Sequence, residues 1–486
     1  MGEKISLQAS EILANVEINA SEVFIDENSI ISAQSKGFDS DFSEKINKDL
    51  FEPDFLSKGG MRASEKASEN RGGGKIIIQS QEIKIDGILE VNGEKGKRVG
   101  FAGENNINGA DAGALFIRTQ ELLGKGIIRA NGGDDGPKAG NGGRIAIYFQ
   151  ENNFEGEIQA FGGKGNLDRE EENGGPGTIF LSNQKEGINQ LIIDNGGHQG
   201  VLDLSQDKLE IEETQLYIKG GSIVVFPASV KNGALILEEG GLRLLGNSEI
   251  YVSEIFKLVR SFIESPQKKF LNINAQEVNI KESEIIANLK VKAENFELDQ
   301  NSSIIANALG YDADEGPGKG AGGSGAGYGG RGGNFMAFEG GNVYGDLRDI
   351  SDFGSGGGTS TYPDTGQQEI GGKGGGLIVL ETEQECIING VISANGEEGK
   401  AGAGGYRYPS GAGSGGGIMI DTNIFKGDGE ILANGGKSNG GGSGGGGRIA
   451  IFYNNWQFNG QIKADSGQCS NELNCAENGT IELVQK

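Results

Sequence analysis

Residues 5–39 (ISLQASEILANVEINASEVFIDENSIISAQSKGFD) align without a gap to residues 278–312 (VNIKESEIIANLKVKAENFELDQNSSIIANALGYD), and 13 of the 35 pairs are identical. A duplication of this kind constrains architecture more than any local motif, because a repeated unit must pack against its own neighbours. The match continues. GGGKIIIQSQEIKIDGILEVNGEKG (72–96) corresponds to GGGLIVLETEQECIINGVISANGEEG (374–399), and GGRIAIYFQENNFEGEIQAFGG corresponds to GGRIAIFYNNWQFNGQIKADSG. The chain therefore reads as a first repeat unit (1–184), a connecting segment (185–277) and a second repeat unit (278–486). The two copies differ mainly in the length of their glycine-rich loops.

A smaller motif recurs inside each copy: a short alternating strand, then Ile-x-Ala-Asn-Gly or a relative, then a loop of Gly with Asp, Glu and Lys. It occurs at Ile128–Gly132, Ile392–Gly396 and Ile431–Gly435, with variants at Leu89–Gly93 and Ile158–Gly162. Alternation at Ile76, Ile78, Ile83, Ile85 and Ile88 turns one face of each strand inward. Asn-Gly is expected to end a strand because both residues tolerate positive φ. Hairpins would require loops of matched length, whereas these loops are unequal. Stacked coils of parallel strands tolerate loops of any length on their outside. Leu202, Leu204, Leu209, Ile211, Leu216, Ile218, Ile223 and Val225 form apolar pairs about seven residues apart, so the coils are expected to run on through the connecting segment. One stretch there, Ser253–Ser265, also admits an amphipathic helix capped by Ser253 and ended before Pro266.

Glycine needs an explanation, at 89 of 486 residues against only 8 prolines. Collagen-like and proline-rich readings fail on that ratio. GAGGSGAGYGGRGG (320–333) and GGGSGGGG (440–447) have linker composition, but both copies resume the strand GGRIAI after loops of different length. The loop ends must then lie close together on a stack. With 43 Lys+Arg against 69 Asp+Glu the formal net charge is −26, which repels nucleic acid and anionic lipid. No run approaches the roughly 18 apolar residues of a membrane span. Three cysteines exclude a disulfide framework, and MGEKISLQAS lacks the features of a signal peptide.

The recurring strand, Ala-Asn-Gly, glycine loop and Gly-Gly-Arg-Ile pattern resembles the glycine-rich repeats of very large protist and bacterial surface proteins, themselves similar to right-handed parallel β-helices of the pectin-lyase-like class. The resemblance implies an all-β right-handed parallel β-helix and a structural or adhesive role at the cell surface or outside the cell. A polysaccharide lyase or hydrolase on the same scaffold is the alternative.

Chemistry is sparse in the sequence. His198, between Asp194 and Asp203, has no nucleophile pattern beside it and reads as a turn residue. No Ser-His-Asp order, GxSxG, HExxH or Walker pattern occurs, so no catalytic residue is assigned and no cofactor is required. Calcium is the metal that suits the acidic loops at Asp134 and Asp135, at Asp168, Glu170, Glu171 and Glu172, and at Asp312, Asp314 and Glu315; solvated acids are the competing reading. Arg144 and Arg448 hold the same place in both copies, where each can reach a carbonyl or carboxylate of an adjacent coil or bind a ligand. Tyr148, Phe149, Phe452, Tyr453 and Trp456 could stack on sugars, while Phe154 and Phe458 look like core. The insertion 313–373, with Tyr311, Tyr328, Phe335, Phe338, Tyr344 and Tyr362, is either a partner-binding loop or a cover for one sheet face. Cys386 aligns with inward Ile83 and is expected to be a buried thiol; Cys469 and Cys475 lie close enough to bond in an exported protein. Asn19, Asn301 and Asn478 head glycosylation sequons. The partners expected are a protein or glycan at the cell surface, or a second copy end to end.

Overall fold

A computed structural model of the chain describes residues 3–38, 51–53, 70–97, 106–166, 171–204, 214–226, 229–246, 248–362, 366–402 and 408–486. It is all-β, with long and mostly parallel sheets. The helical element among the described residues is one 3-10 turn, Glu472–Asn474, and no helix there is long and apolar enough to cross a membrane. By compactness the chain falls into two units, 1–225 with 232–242, and 226–231 with 243–486.

In the first unit, Lys4–Leu7, Glu22–Ile25, Glu82–Ile85, Glu121–Gly124 and Glu151–Phe154 stack in parallel as one sheet. A second contains Glu11–Leu13, Ile30–Ser32, Ile88–Glu90, Ile127–Arg129 and Glu157–Gln159. Val16–Asn19, Lys75–Gln79, Ala114–Arg118, Arg144–Phe149 and Thr178–Asn183 stand next to one another in a third. The chain visits the three sheets in turn, so each circuit adds one rung to all of them. Alternation then lines up inward residues of successive rungs: Ile76, Leu115 and Ile145 are in register and fully buried, as are Ile78, Ile117 and Ile147. The second unit repeats the pattern, with Phe270–Asn274, Asn288–Leu298, Leu377–Ile388, Gly417–Asp421, Arg448–Tyr453 and Thr480–Gln485 in parallel succession.

The connecting segment departs from expectation in three ways. Thr178–Asn183 and Ile188–Asp194 form an antiparallel hairpin, so the strand direction reverses once at the join; from Ile188–Asp194 onward the strands again stack in parallel, as expected of coils that run on. Ile192, opposite Ile179, packs on the first unit's core, while Leu191 and Ile193 on the other face are fully buried. Ser253–Ser265 contains the strands Ile255–Val259 and Phe262–Glu264; Phe256, Leu258 and Ile263 are its fully buried residues, a two-residue alternation that a helix would not produce. In Ser222–Phe226 Ile223 is buried as its spacing predicts, but Val224 and Phe226 are buried too and Val225 is only half-buried, so the strand shows no simple two-residue alternation. Leu209 and Ile211 lie outside the described residues.

The identities shared by the copies fall mostly on turns. Asp26 Oδ1 accepts from the hydroxyl of Ser29 at 2.6 Å, and Asp299 Oδ1 accepts from Ser302 at 2.5 Å. Those hydroxyls in turn accept from the backbone of Ser10 and Ser283, both at 3.1 Å. Asn15 and Asn288 each accept from the first strand N–H of the next coil, Lys75 and Leu377, at 2.8 Å.

The Ile-x-Ala-Asn-Gly motif works differently from the sequence expectation. Neither Asn131, Asn395 and Asn434 nor the glycines after them have positive φ. Each asparagine instead forms a ladder along the stack: Asn131 N–H donates to Asn92 Oδ1 at 2.8 Å, Asn395 to Asn307 at 2.7 Å and Asn434 to Asn395 at 2.8 Å. The alanine before it closes the coil, its carbonyl accepting from a glycine N–H at 2.8 Å (Gly143 to Ala130) and 2.7 Å (Gly447 to Ala433).

The glycine-rich segments are ordered by hydrogen bonds of period three. Gly411 N–H donates to Gly358 and Ser414 to Ser355; Ala412 donates to Gly442 and Gly415 to Gly445; Gly413 donates to Glu397 and Gly416 to Ala394. Every third residue thus reaches the same neighbouring segment. That is the behaviour of a polyproline-II helix, which has three residues per turn and no internal hydrogen bonds. The first unit does the same, with Ala139 and Gly142 donating to Glu172 and Gly175 while Gly140 and Gly143 donate to Gly133 and Ala130. None of the glycines from 411 to 416 has positive φ. Glycine is needed there for proximity, since a Cβ on Gly411 would be driven into the carbonyl of Ser324 and one on Gly413 into that of Lys373.

Candidate binding groove

The rungs of the second unit bend at a corner, and a groove of about 790 Å³ follows that corner across five strands. Tyr251, Asn274, Lys292, Glu381 and Asp421 are in register and form one wall. Ser253, Gln276, Glu294 and Glu383 form the other, with Ala275, Ala293 and Thr382 between them. Lys292 pairs with Glu381 at 3.1 Å, and Lys486 with Asp421 at 2.5 Å. The register shifts between Ala293 and Asn295, whose partners are Thr382 and Glu385. One strand therefore carries an extra residue at the corner. Such a bulge re-aims side chains, and here Glu383 and Gln384 are both exposed. Tyr251 is exposed to 53%.

The corresponding corner of the first unit holds a groove of about 300 Å³, lined by Ser21, by Gln81, Gln120 and Gln150, and by Glu22, Glu82, Glu121 and Glu151. It has no aromatic residue and no extra residue between the paired rungs of Val16–Ile25 and Lys75–Ile85.

The residues singled out in the sequence are distributed elsewhere. Arg448 is buried; its guanidinium donates to Tyr344 O at 2.9 and 2.6 Å and to Thr480 Oγ1 at 3.1 Å, and lies over the Tyr328 ring. It ties the insertion to the sheet. Arg144 is buried at the equivalent rung. The described part of the insertion packs as a cover: Tyr328 is fully buried and Phe335 nearly so, Tyr344 donates to Phe353 O, and Tyr311 meets Phe353 edge-on at 5.9 Å. Burial pushes the phenols of Tyr328 and Tyr344 far above their ordinary range. Ile350 joins Leu377, Val379 and Ala450 in a small core, with Phe452 packed against it. Phe338 and Met336 remain exposed, and Tyr362 packs on Tyr408.

Tyr148 and Phe149 stay on the sheet, the Tyr148 ring 5.6 Å from that of Phe180. Trp456 contacts Phe425 and Tyr453; Phe458 stacks on Phe425 as core, and Phe154 packs against the first unit's core. His198 sits in a turn, its ring 2.9 Å from Gly162 O. Asp194 pairs with Lys219.

Asp134 is held by the Lys164 N–H and by Lys95. Lys268 bridges Asp312 at 2.8 Å and Glu315 at 2.7 Å, which keeps the Asp312 carboxyl below the usual carboxylate range. Asp168 and Glu170 lie outside the described residues, and among the described ones no group of three or more acids, His or Cys is placed to hold a metal. Cys386 is a fully buried free thiol, raised by desolvation, and Cys469 is bonded to Cys475.

The groove itself was not legible as a motif. Its signal was the single extra residue in 374–399 relative to 72–96. No family model, curated protein or solved structure matches the chain.

Proposed function

We propose that this chain is a right-handed parallel β-helix acting as a non-catalytic structural or adhesive module at a cell surface or outside the cell. The carrying observation is the double lattice. Parallel rungs repeat one set of contacts, and glycine-rich segments beside them are hydrogen-bonded in three directions. Such packing restrains the coils within each unit, which suits presentation of a surface more than substrate closure. Right-handedness follows from the strong bias of parallel crossovers toward that hand. The Cys469–Cys475 bond supports an oxidising location.

Beads coated with the protein should attach to washed bacterial, yeast or protist cells, and incubation with polysaccharides should release no new reducing ends or unsaturated sugars. Sustained release of either product would favour the lyase or hydrolase alternative. Failure to attach to any of the cells would remove the adhesive role.

A further inference from the structure

The corner groove of the second unit differs from its counterpart in three ways that act together. It is more than twice as large, the exposed Tyr251 lines it where the smaller groove has no aromatic residue, and a bulge adds one residue to its wall beside Glu383. From Tyr251 to Asp421 there are four strand spacings, about 19 Å at roughly 4.8 Å each. Along that length the groove offers acceptors and donors at nearly every rung and little exposed aliphatic surface. The strands beneath already have neighbours on both sides, so an extended peptide would find no free edge to extend. Lys292 and Lys486 are each engaged by a carboxylate of the same groove, which leaves an acidic lining that disfavours anionic polymers.

The geometry points to an uncharged oligosaccharide of about four sugars, lying along the stack. The Tyr251 ring takes an apolar sugar face. Asn274 and Gln276 supply amides, and the carboxylates of Glu294 and Glu383 accept hydroxyl hydrogens. This site rests on the adhesive reading and names its ligand class.

The experiment is calorimetric titration of the full chain with hexasaccharides of β-1,4-linked glucose, mannose and xylose and of α-1,4-linked glucose, with hexagalacturonate and hexalysine beside them. At least one neutral hexasaccharide should bind one per chain, with affinity unchanged between about 50 and about 500 mM salt. Tyr251→Ala should weaken it about tenfold, Tyr251→Trp should restore it, and Glu294→Gln with Glu383→Gln should weaken it further. Gln120→Ala, in the smaller groove, should change nothing. Absence of binding to all four neutral hexasaccharides, or binding indifferent to Tyr251→Ala, overturns the proposal; so does a preference for hexalysine that salt abolishes. Cell attachment that persists in the Tyr251→Ala variant would overturn this site and leave the adhesive reading standing.

Discussion

Segment 411–416 and strand Gly417–Asp421 are continuous in sequence, yet they satisfy their backbones by opposite means. The strand pairs with rungs on either side and alternates with period two, so Ile418 and Ile420 fill the interior. The glycine segment donates in three directions with period three, and what it requires of its glycines is the absence of a side chain. Side chains hold the strand in place by filling space. At the glycines they would break the layer by occupying it, whereas Ala412 and Ser414 between them carry small side chains that are fully buried. The two regions therefore predict equal sensitivity to substitutions of opposite kind.

The largest effects should be matched across that boundary. Ile420→Ala empties a fully buried position and should cost about 2–5 kcal/mol. Gly411→Ala adds one methyl where only backbone surrounds it and should cost about 3 kcal/mol. Denaturant titration of both variants checks this, and a Gly411→Ala variant as stable as the parent would break the equivalence.

Next come residues that bolt side chains onto the lattices. Arg448→Ala should lose about 2–3 kcal/mol, because the Tyr344 carbonyl is left without its charged donor. Arg448→Lys should recover only part, since a lysine lacks the fork that also reaches Thr480. Thermal unfolding ranks the three proteins.

Asn434→Ala removes the acceptor for Asp465 N–H at 2.8 Å from the asparagine ladder and should cost about 1 kcal/mol. The same change at an exposed asparagine of a turn, Asn454, should cost less by the same titration.

Smaller still is a pH effect at the Lys268 cluster. The Asp312 carboxyl is lowered chiefly by its hydrogen bond from Lys268, so its contribution is present above the unfolded pKa and is lost as pH falls through the lower folded value. Stability should decline below about pH 4 with a slope that Asp312→Asn reduces. At the bottom of the scale, Gly246→Ala should be within about 0.5 kcal/mol of the parent, as a Cβ there meets nothing within 4 Å.

The strands were legible because alternation and duplication are local signals: Ile76, Ile78, Ile83 and Ile85 are all fully buried, as their spacing required, although in Ile88–Glu90 it is Leu89 and not Ile88 that takes the inward place. Cys386 followed from its alignment with Ile83. The hairpin at Thr178–Asp194 was not legible, since two apolar strands separated by a short turn do not state their direction. Nor was the glycine layer, because its order comes from partners as distant as Ala412 and Gly442. The role of Asn-Gly was misread for the same reason: the ladder from Asn307 through Asn395 to Asn434 spans three coils, whereas positive φ is a property of one residue. At the groove, one extra residue was visible, but its meaning depended on Ala293 and Thr382 facing each other across a corner.

Amide hydrogen exchange tests the central claim most directly, by comparing Gly411–Gly416 with Ile418–Ile420 in the native protein. If the glycine segments are a hydrogen-bonded lattice, their amides should be protected to the same order as those of the strand. Exchange of Gly411–Gly416 at the rate of an unstructured chain, beside a protected strand, would contradict it.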